Sequence, residues 1–141
     1  MEFDVPFMNE IIPGLWQGGC QNGLQLPHFI KHVVSLYPWE QYQVKHEIDS
    51  YLTVRVYDSE AQDTSQLDSV AQWVADLLKD GKPILVHCQA GLNRSSYVVA
   101  KALLLAGKVE TGQEAINLLR ENRSPACLCN PTFEEAILAN D

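Results

Sequence analysis

Between Ile84 and Gly107 the chain reads ILVHCQAGLNRSSYVVAKALLLAG, and this stretch constrains the fold more than any other. Its opening run, KPILVH from Lys82, is short and continuously apolar at its centre. A run of that length, bounded by Gly81 and a polar segment, predicts a strand, and the lack of alternation places it centrally with both faces covered. The closing run, Ser95 to Ala106, is apolar almost all round and stops at Gly107, which predicts a buried helix. A buried strand feeding a buried helix through a short loop is a unit of α/β architecture. In such folds ligands bind outside the carboxyl ends of the strands, and Cys88 falls at such an end.

The flanking sequence supplies the remaining layers. NEIIPGLWQGG reads as two short strands around the Pro13-Gly14 turn, and LQLPHFIKH as a short helix. HVVSLY and YLTVRVY are β-rich runs, with the polar, aromatic loop PWEQYQVKHEIDS between them. From Ser65 the period changes: Leu67, Val70, Ala71, Val74, Leu77 and Leu78 predict an amphipathic helix to about Lys79, ended by Asp80-Gly81. Thr111 and Glu114 form a capping box for a helix to about Asn122, and Asn130-Pro131 with Glu134 and Glu135 starts a last one. The whole, residues 1–141, is expected to be a single α/β domain: a small central, mostly parallel twisted sheet flanked by helices on both faces.

Charge and composition narrow the function. The chain of 141 residues is 46% hydrophobic and 20% charged, the balance of one globular domain. A formal net charge of -8 repels nucleic acid and anionic membranes on average, so an anionic substrate needs a local site, and no nucleic-acid partner is expected. No apolar stretch reaches the length of a membrane span, and MEFDVPFMNE lacks the basic and apolar blocks of a signal peptide, so no membrane anchor is expected. The four cysteines (Cys20, Cys88, Cys127, Cys129) are too few and scattered for a disulfide scaffold, which favours a reduced, cytoplasmic setting. Cys127-Leu128-Cys129 has no nearby histidine and His28/His32 fits a helix surface, so neither a metal nor a cofactor is expected.

The segment between the two apolar runs carries the chemistry. Cys-x5-Arg alone is a weak signal; His87 before the cysteine, Gly91 three after it and Ser95 after the arginine make it specific. A loop entering a helix N-terminus turns successive backbone N–H groups into a concavity, and the helix dipole adds positive potential there. Gly91 lets the loop curl without a side chain blocking the anion. Arg94 offers a planar fork of donors matched to two phosphate oxygens. Cys88 lies at the base of this cradle, where the same field favours the thiolate, with the Ser95 hydroxyl beside it. His87 is expected to shape the loop through hydrogen bonds rather than to act as a base.

HCQAGLNRSS resembles the signature loop of cysteine-dependent protein phosphatases, His-Cys-x5-Arg-Ser/Thr, and the rest of the chain resembles their dual-specificity class. IIPGLWQGG is similar to the N-terminal strand pair of that class, HVVSLY to its next strand, and RENRSPACLCNPTFEEAI to its C-terminal arginine-to-asparagine-phenylalanine segment. The resemblance implies that Cys88 attacks phosphorus and forms a phosphocysteine. It implies that Arg94 clamps the phosphate, and that the amides of Gln89, Ala90, Gly91, Leu92, Asn93 and Arg94 form the cradle. Ser95 then assists thiolate departure in the second step. The family's aspartic acid follows a preceding strand about thirty residues before the cysteine, which selects Asp58 in VRVYDSEAQD; Glu60 and Asp63 stand nearby as rivals, and Asp63 also suits a helix cap. Asn130 matches an asparagine that in relatives bonds back to the signature loop, and reads equally as the cap before Pro131.

Two departures from the pattern stand out. Position 93 is Asn where relatives often carry Ser, and Asn tolerates the left-handed conformation. The Cys127-Leu128-Cys129 pair is unusual, and Cys20, Cys127 or Cys129 is a candidate partner for an oxidised Cys88. The uncharged middle of the loop and the acidic chain favour a phosphorylated protein or peptide over a phosphoinositide or an RNA 5′ phosphate. Trp39 and Tyr42 are candidates for a pocket wall or for core packing. Sulfur transfer of the rhodanese-like type, arsenate reduction and a non-catalytic phosphate-binding module remain as other classes; Asp58 and Ser95 have no use in the first.

Overall fold

The computed structural model of the chain describes residues 8–19, 26–36, 47–54, 65–88, 93–128, 130–139 and 141. Among these, the elements run β1 (Met8–Ile12), β2 (Leu15–Gly18), β3 (His32–Ser35), β4 (Ser50–Thr53), α1 (Ser65–Lys79), β5 (Ile84–His87), α2 (Arg94–Leu105), α3 (Gly112–Asn122) and α4 (Pro131–Leu138). The five strands form one sheet in the order β1-β2-β5-β3-β4. Only β1 runs antiparallel, joined to β2 by a turn in which Gly14 takes φ +89°, the left-handed region that glycine enters without strain. The other pairs are parallel, in a register that aligns Gly18, His87 and Ser35 across the sheet.

β5 holds the middle position predicted for it, and all four of its residues are buried. Ile84 and Val86 point into the larger core, which receives side chains from α1, α2, α3 and α4; Leu85 points the other way, into a smaller core with Leu26, Ile30 and Val33. The four described helices thus share one face of the sheet. The opposite face is covered, among the described residues, by the segment from Leu26 to Lys31 rather than by a helix. LQLPHFIKH was expected to be helical; instead Pro27 opens a turn closed by Ile30 N–H donating to Pro27 O at 3.0 Å, and the chain then enters β3 at His32. Proline at that point starts a turn readily, and burial of Leu26 and Ile30 needs no helical period. Residues 20–25 and 37–46, with Trp39 and Tyr42, lie outside the described residues.

α2 is the hub. Nine of its residues are buried, a helix apolar all round because it packs against the sheet and its three helical neighbours at once. Tyr97 stacks at a tilt on Phe133 of α4 with centroids 5.5 Å apart, and its hydroxyl donates to Asp68 Oδ1 of α1. Arg120 on α3 donates to Cys127 O at 3.0 Å and to Glu134 Oε2 at 2.6 Å, binding α3, the 123–128 segment and α4 into one unit. Gly112 is needed where α3 meets α4: a Cβ there would lie 2.2 Å from Ile137 O. The boundaries at Ser65 and Lys79 agree with the periodicity, and Gly81 and Gly107 end α1 and α2 at φ +72° and +70°.

Candidate active site

The parallel strands β2, β5, β3 and β4 end on one edge of the sheet, and Cys88 follows directly from β5 there. Its N–H donates to Gly18 O at 3.3 Å, and His87 O accepts the N–H of Leu36 at 2.9 Å. The nucleophile candidate is therefore tied to both neighbouring strands and cannot slide relative to the sheet. Cys88 is 2% exposed, and its Sγ lies 3.3 Å from Ser95 Oγ in the first turn of α2. Arg94, the first residue of α2, is also buried. Cys88 and Ser95 are thus brought into contact, and Arg94 starts the helix that carries Ser95. Gln89, Ala90, Gly91 and Leu92 lie outside the described residues, as do Asp58, Glu60 and Asp63.

His87 is fully buried, and desolvation pushes its pKa down to about 4, with a hydrogen bond to the Cys88 backbone acting in the opposite sense. A ring in that state is neutral at physiological pH, and its hydrogen bond is to the Cys88 backbone. Asn93 is the N-cap residue of α2 but takes φ −118°, ψ −65°, so the left-handed tolerance noted from sequence is not used. Its side chain makes no cap bond; Oδ1 instead accepts the N–H of Asn130 at 2.9 Å. Asn130 contributes in two ways at once. Its backbone meets the loop through Asn93, and its Oδ1 caps α4 by accepting Thr132 N–H at 3.0 Å. Leu128, two residues earlier, takes φ +60°, a left-handed conformation that costs a leucine roughly 1–2 kcal/mol.

Two buried groups near Cys88, Gln17 and Arg123, escaped the sequence reading. Gln17 on β2 is fully buried, and its Nε2 donates to Ser96 Oγ at 2.7 Å and to Ser95 Oγ at 3.3 Å. The signal was available: Gln17 is two residues after the core residue Leu15, so strand alternation sends it into the same core. Arg123, also buried, donates to Asn9 Oδ1 at 2.8 Å. Burial lowers its pKa while the nearby sulfurs of Cys127 and Cys88 raise it, which places a second guanidinium within electrostatic reach of Cys88. Cys127 is buried, and desolvation raises its pKa against a hydrogen bond from Ser96, so it stays a thiol at neutral pH. Cys20 and Cys129 lie outside the described residues.

A nucleophilic sulfur at a strand end, a buried guanidinium at the following helix start and a hydroxyl beside the sulfur make an arrangement suited to phosphoryl transfer through a covalent intermediate. The profile of the family described as dual specificity phosphatase, catalytic domain, matches residues 20–140. Protein 123R of Invertebrate iridescent virus 6, which carries the name of a tyrosine phosphatase, is 30% identical over 117 residues, covering 82% of this chain and 79% of its own. The crystal structure of human DUSP28 superposes with a TM-score of 0.75 at 18% identity, over 94% of this chain and 90% of that one. OH1 of Orf virus, described as a tyrosine phosphatase, does so with a TM-score of 0.66 at 20% identity, over 94% and 88%. On the family match and the viral relative, which agree with this site, the chain belongs to the dual-specificity phosphatase family and is a cysteine-dependent protein phosphatase.

Proposed function

We propose that residues 1–141 act as one catalytic domain that removes phosphate from phosphotyrosine and phosphoserine/threonine in cytoplasmic proteins. In this reading Cys88 attacks phosphorus, Arg94 and the amides of residues 89–94 hold the equatorial oxygens, and Asp58 protonates the leaving oxygen. Water then attacks the phosphocysteine as Asp58 takes its proton, and Ser95 donates to the departing sulfur. Nucleophile, clamp and acid are all protein groups, so the chemistry calls for no cofactor. The observation that carries the reading is the contact of Cys88 Sγ with Ser95 Oγ where the central strand meets α2, a helix that begins with the buried Arg94.

The assignment of Asp58 gains support from topology. Val54 continues the ladder beyond β4 by donating to Ser35 O at 2.9 Å, and the chain leaves there on the sheet edge that carries Cys88, with β3 as the strand between. Two strand spacings amount to about 10 Å, well within the reach of four extended residues. A protein substrate is supported by the tyrosine phosphatase name of the viral relative and by the net charge of -8, which disfavours polyanionic RNA and lipid surfaces.

Hydrolysis of p-nitrophenyl phosphate tests the core of the reading. Wild type is expected to turn over with inhibition by vanadate, and Cys88→Ser to lose activity by on the order of 10⁴-fold or more. Asp58→Ala is expected to lose about 100-fold on alkyl phosphates and far less on good leaving groups; equal losses remove Asp58 from the role. Thiosulfate-dependent cyanide turnover without phosphate release overturns phosphatase chemistry, and preference for phosphoinositides over phosphopeptides overturns the protein substrate.

A further inference from the structure

Gln17 is an expensive residue to bury. A carboxamide taken from water costs about 1–3 kcal/mol unless its hydrogens find partners. Here they find two hydroxyls, Ser96 Oγ at 2.7 Å and Ser95 Oγ at 3.3 Å, both in the first turn of α2. Ser95 Oγ in turn lies 3.3 Å from Cys88 Sγ. An amide nitrogen has two hydrogens and only donates; a hydroxyl has one hydrogen and two lone pairs. While Cys88 is a thiol, its S–H and the Gln17 amide fill both lone pairs of Ser95. Once the sulfur loses its proton it becomes an acceptor. The amide still occupies one lone pair, and the single Ser95 hydrogen turns to the sulfur.

We propose that Gln17 is a positioning residue for the phosphatase reaction: its carboxamide holds Ser95 Oγ so that the hydroxyl hydrogen is directed at Cys88 Sγ whenever that sulfur carries charge. The inference rests on the reading of Cys88 as nucleophile. The demand is greatest in the second step. Water attacks phosphorus, its proton passes to the general base, the P–S bond breaks and the bonding pair returns to Cys88 sulfur, where the Ser95 hydrogen meets it. The first step consumes charge on sulfur and gains little from this bond. Gln17 therefore acts selectively on breakdown of the phosphocysteine. Its backbone is fixed for the purpose, since Gln17 pairs in parallel register with Val86, two residues before Cys88.

The test uses the full chain. Gln17→Met keeps length and apolar stem without the donor. It is expected to lower kcat by about 10-fold, the worth of a hydrogen bond to a charged group. It is also expected to produce a burst of p-nitrophenol as phosphocysteine accumulates. In a Ser95→Ala background it is expected to change neither of these, because the group it orients is gone. Gln17→Glu, near-isosteric but an acceptor when ionised, is expected to lose more than Gln17→Met, and serves if the latter does not fold. Wild-type kcat without a burst in either folded variant, or full additivity with Ser95→Ala, overturns the proposal. Retained turnover in Cys88→Ser sinks the reading beneath it instead, whereas an inactive Cys88→Ser beside a wild-type-like Gln17→Met sinks the positioning role alone.

Discussion

At the start of α3, Thr111 Oγ1 accepts the N–H of Glu114 at 3.2 Å, and the Asp141 carboxylate accepts those of Gly112 and Gln113 at 2.7 and 3.0 Å. At the start of α2 the N-cap residue Asn93 makes no cap bond and turns its carboxamide to Asn130 instead. The first turns of α1, α3 and α4 carry Asp68, Glu114 and Glu134; the first turn of α2 carries no acidic residue and begins with Arg94. An acidic group near a helix start is worth about 0.3–1 kcal/mol. Of the four described helices, three take that stabilisation and one forgoes it, the one that follows Cys88. The difference teaches what a structural helix start looks like in this protein, and hence why the α2 start reads as a site kept for an anion from outside.

The contrast can be broken or sharpened by substitution. The largest effect is expected from Arg94→Lys, which keeps the charge but loses the fork. kcat/KM should fall by on the order of 10²–10³-fold while the thermal midpoint changes little, as steady-state kinetics and calorimetry will show. A stability effect of on the order of 3 kcal/mol is expected at His87. Its folded pKa of about 4 lies below the ordinary 6.5, so the unfolded chain binds the proton first as pH falls. Stability is thus full above about pH 6.5, is lost as pH falls toward about 4, and levels off below. Urea unfolding across that range should show the loss in wild type and a flatter profile in His87→Asn.

A smaller effect, of about 10-fold, is expected from Asn93→Asp, which places at α2 the kind of acidic start that α3 has; vanadate inhibition should weaken by that factor through repulsion of the anion. Unchanged inhibition would mean that the α2 start is not the anion site. The smallest is Thr111→Ala, expected to cost about 1 kcal/mol in unfolding experiments and to leave kcat/KM untouched.

Much of this could be read from the chain. The unbroken apolar run at Ile84–Val86 gave the central strand, and the period from Leu67 to Leu78 gave α1 to within its end residues. Thr111 accepts from Glu114 as a capping box requires, although the returning Glu114 carboxylate reaches Glu110 N–H at 3.3 Å rather than the cap residue itself. LQLPHFIKH misled because short apolar runs suit a turn that buries Leu26 and Ile30 as well as a helix. The contact of Cys88 with Ser95 was legible because their spacing is local. Gln17 and Arg123 were not, since each reaches the site through contacts with residues far away in sequence, seventy-eight positions in the case of Gln17 and Ser95. Asn93 was noticed for its conformation, and its actual contribution is a side-chain acceptor for a distant backbone.

The sheet order has a practical consequence. The family profile begins at residue 20, beyond β1 and β2, yet β2 is one of the two strands that flank β5. A fragment cut to the profile would turn the most buried strand of the protein into an open edge, with apolar side chains on both faces and main-chain donors unpaired along it. Such an edge invites other chains, so the trimmed protein is expected to aggregate, and β1 and β2 (Met8–Gly18) belong to the catalytic fold as firmly as β5 does.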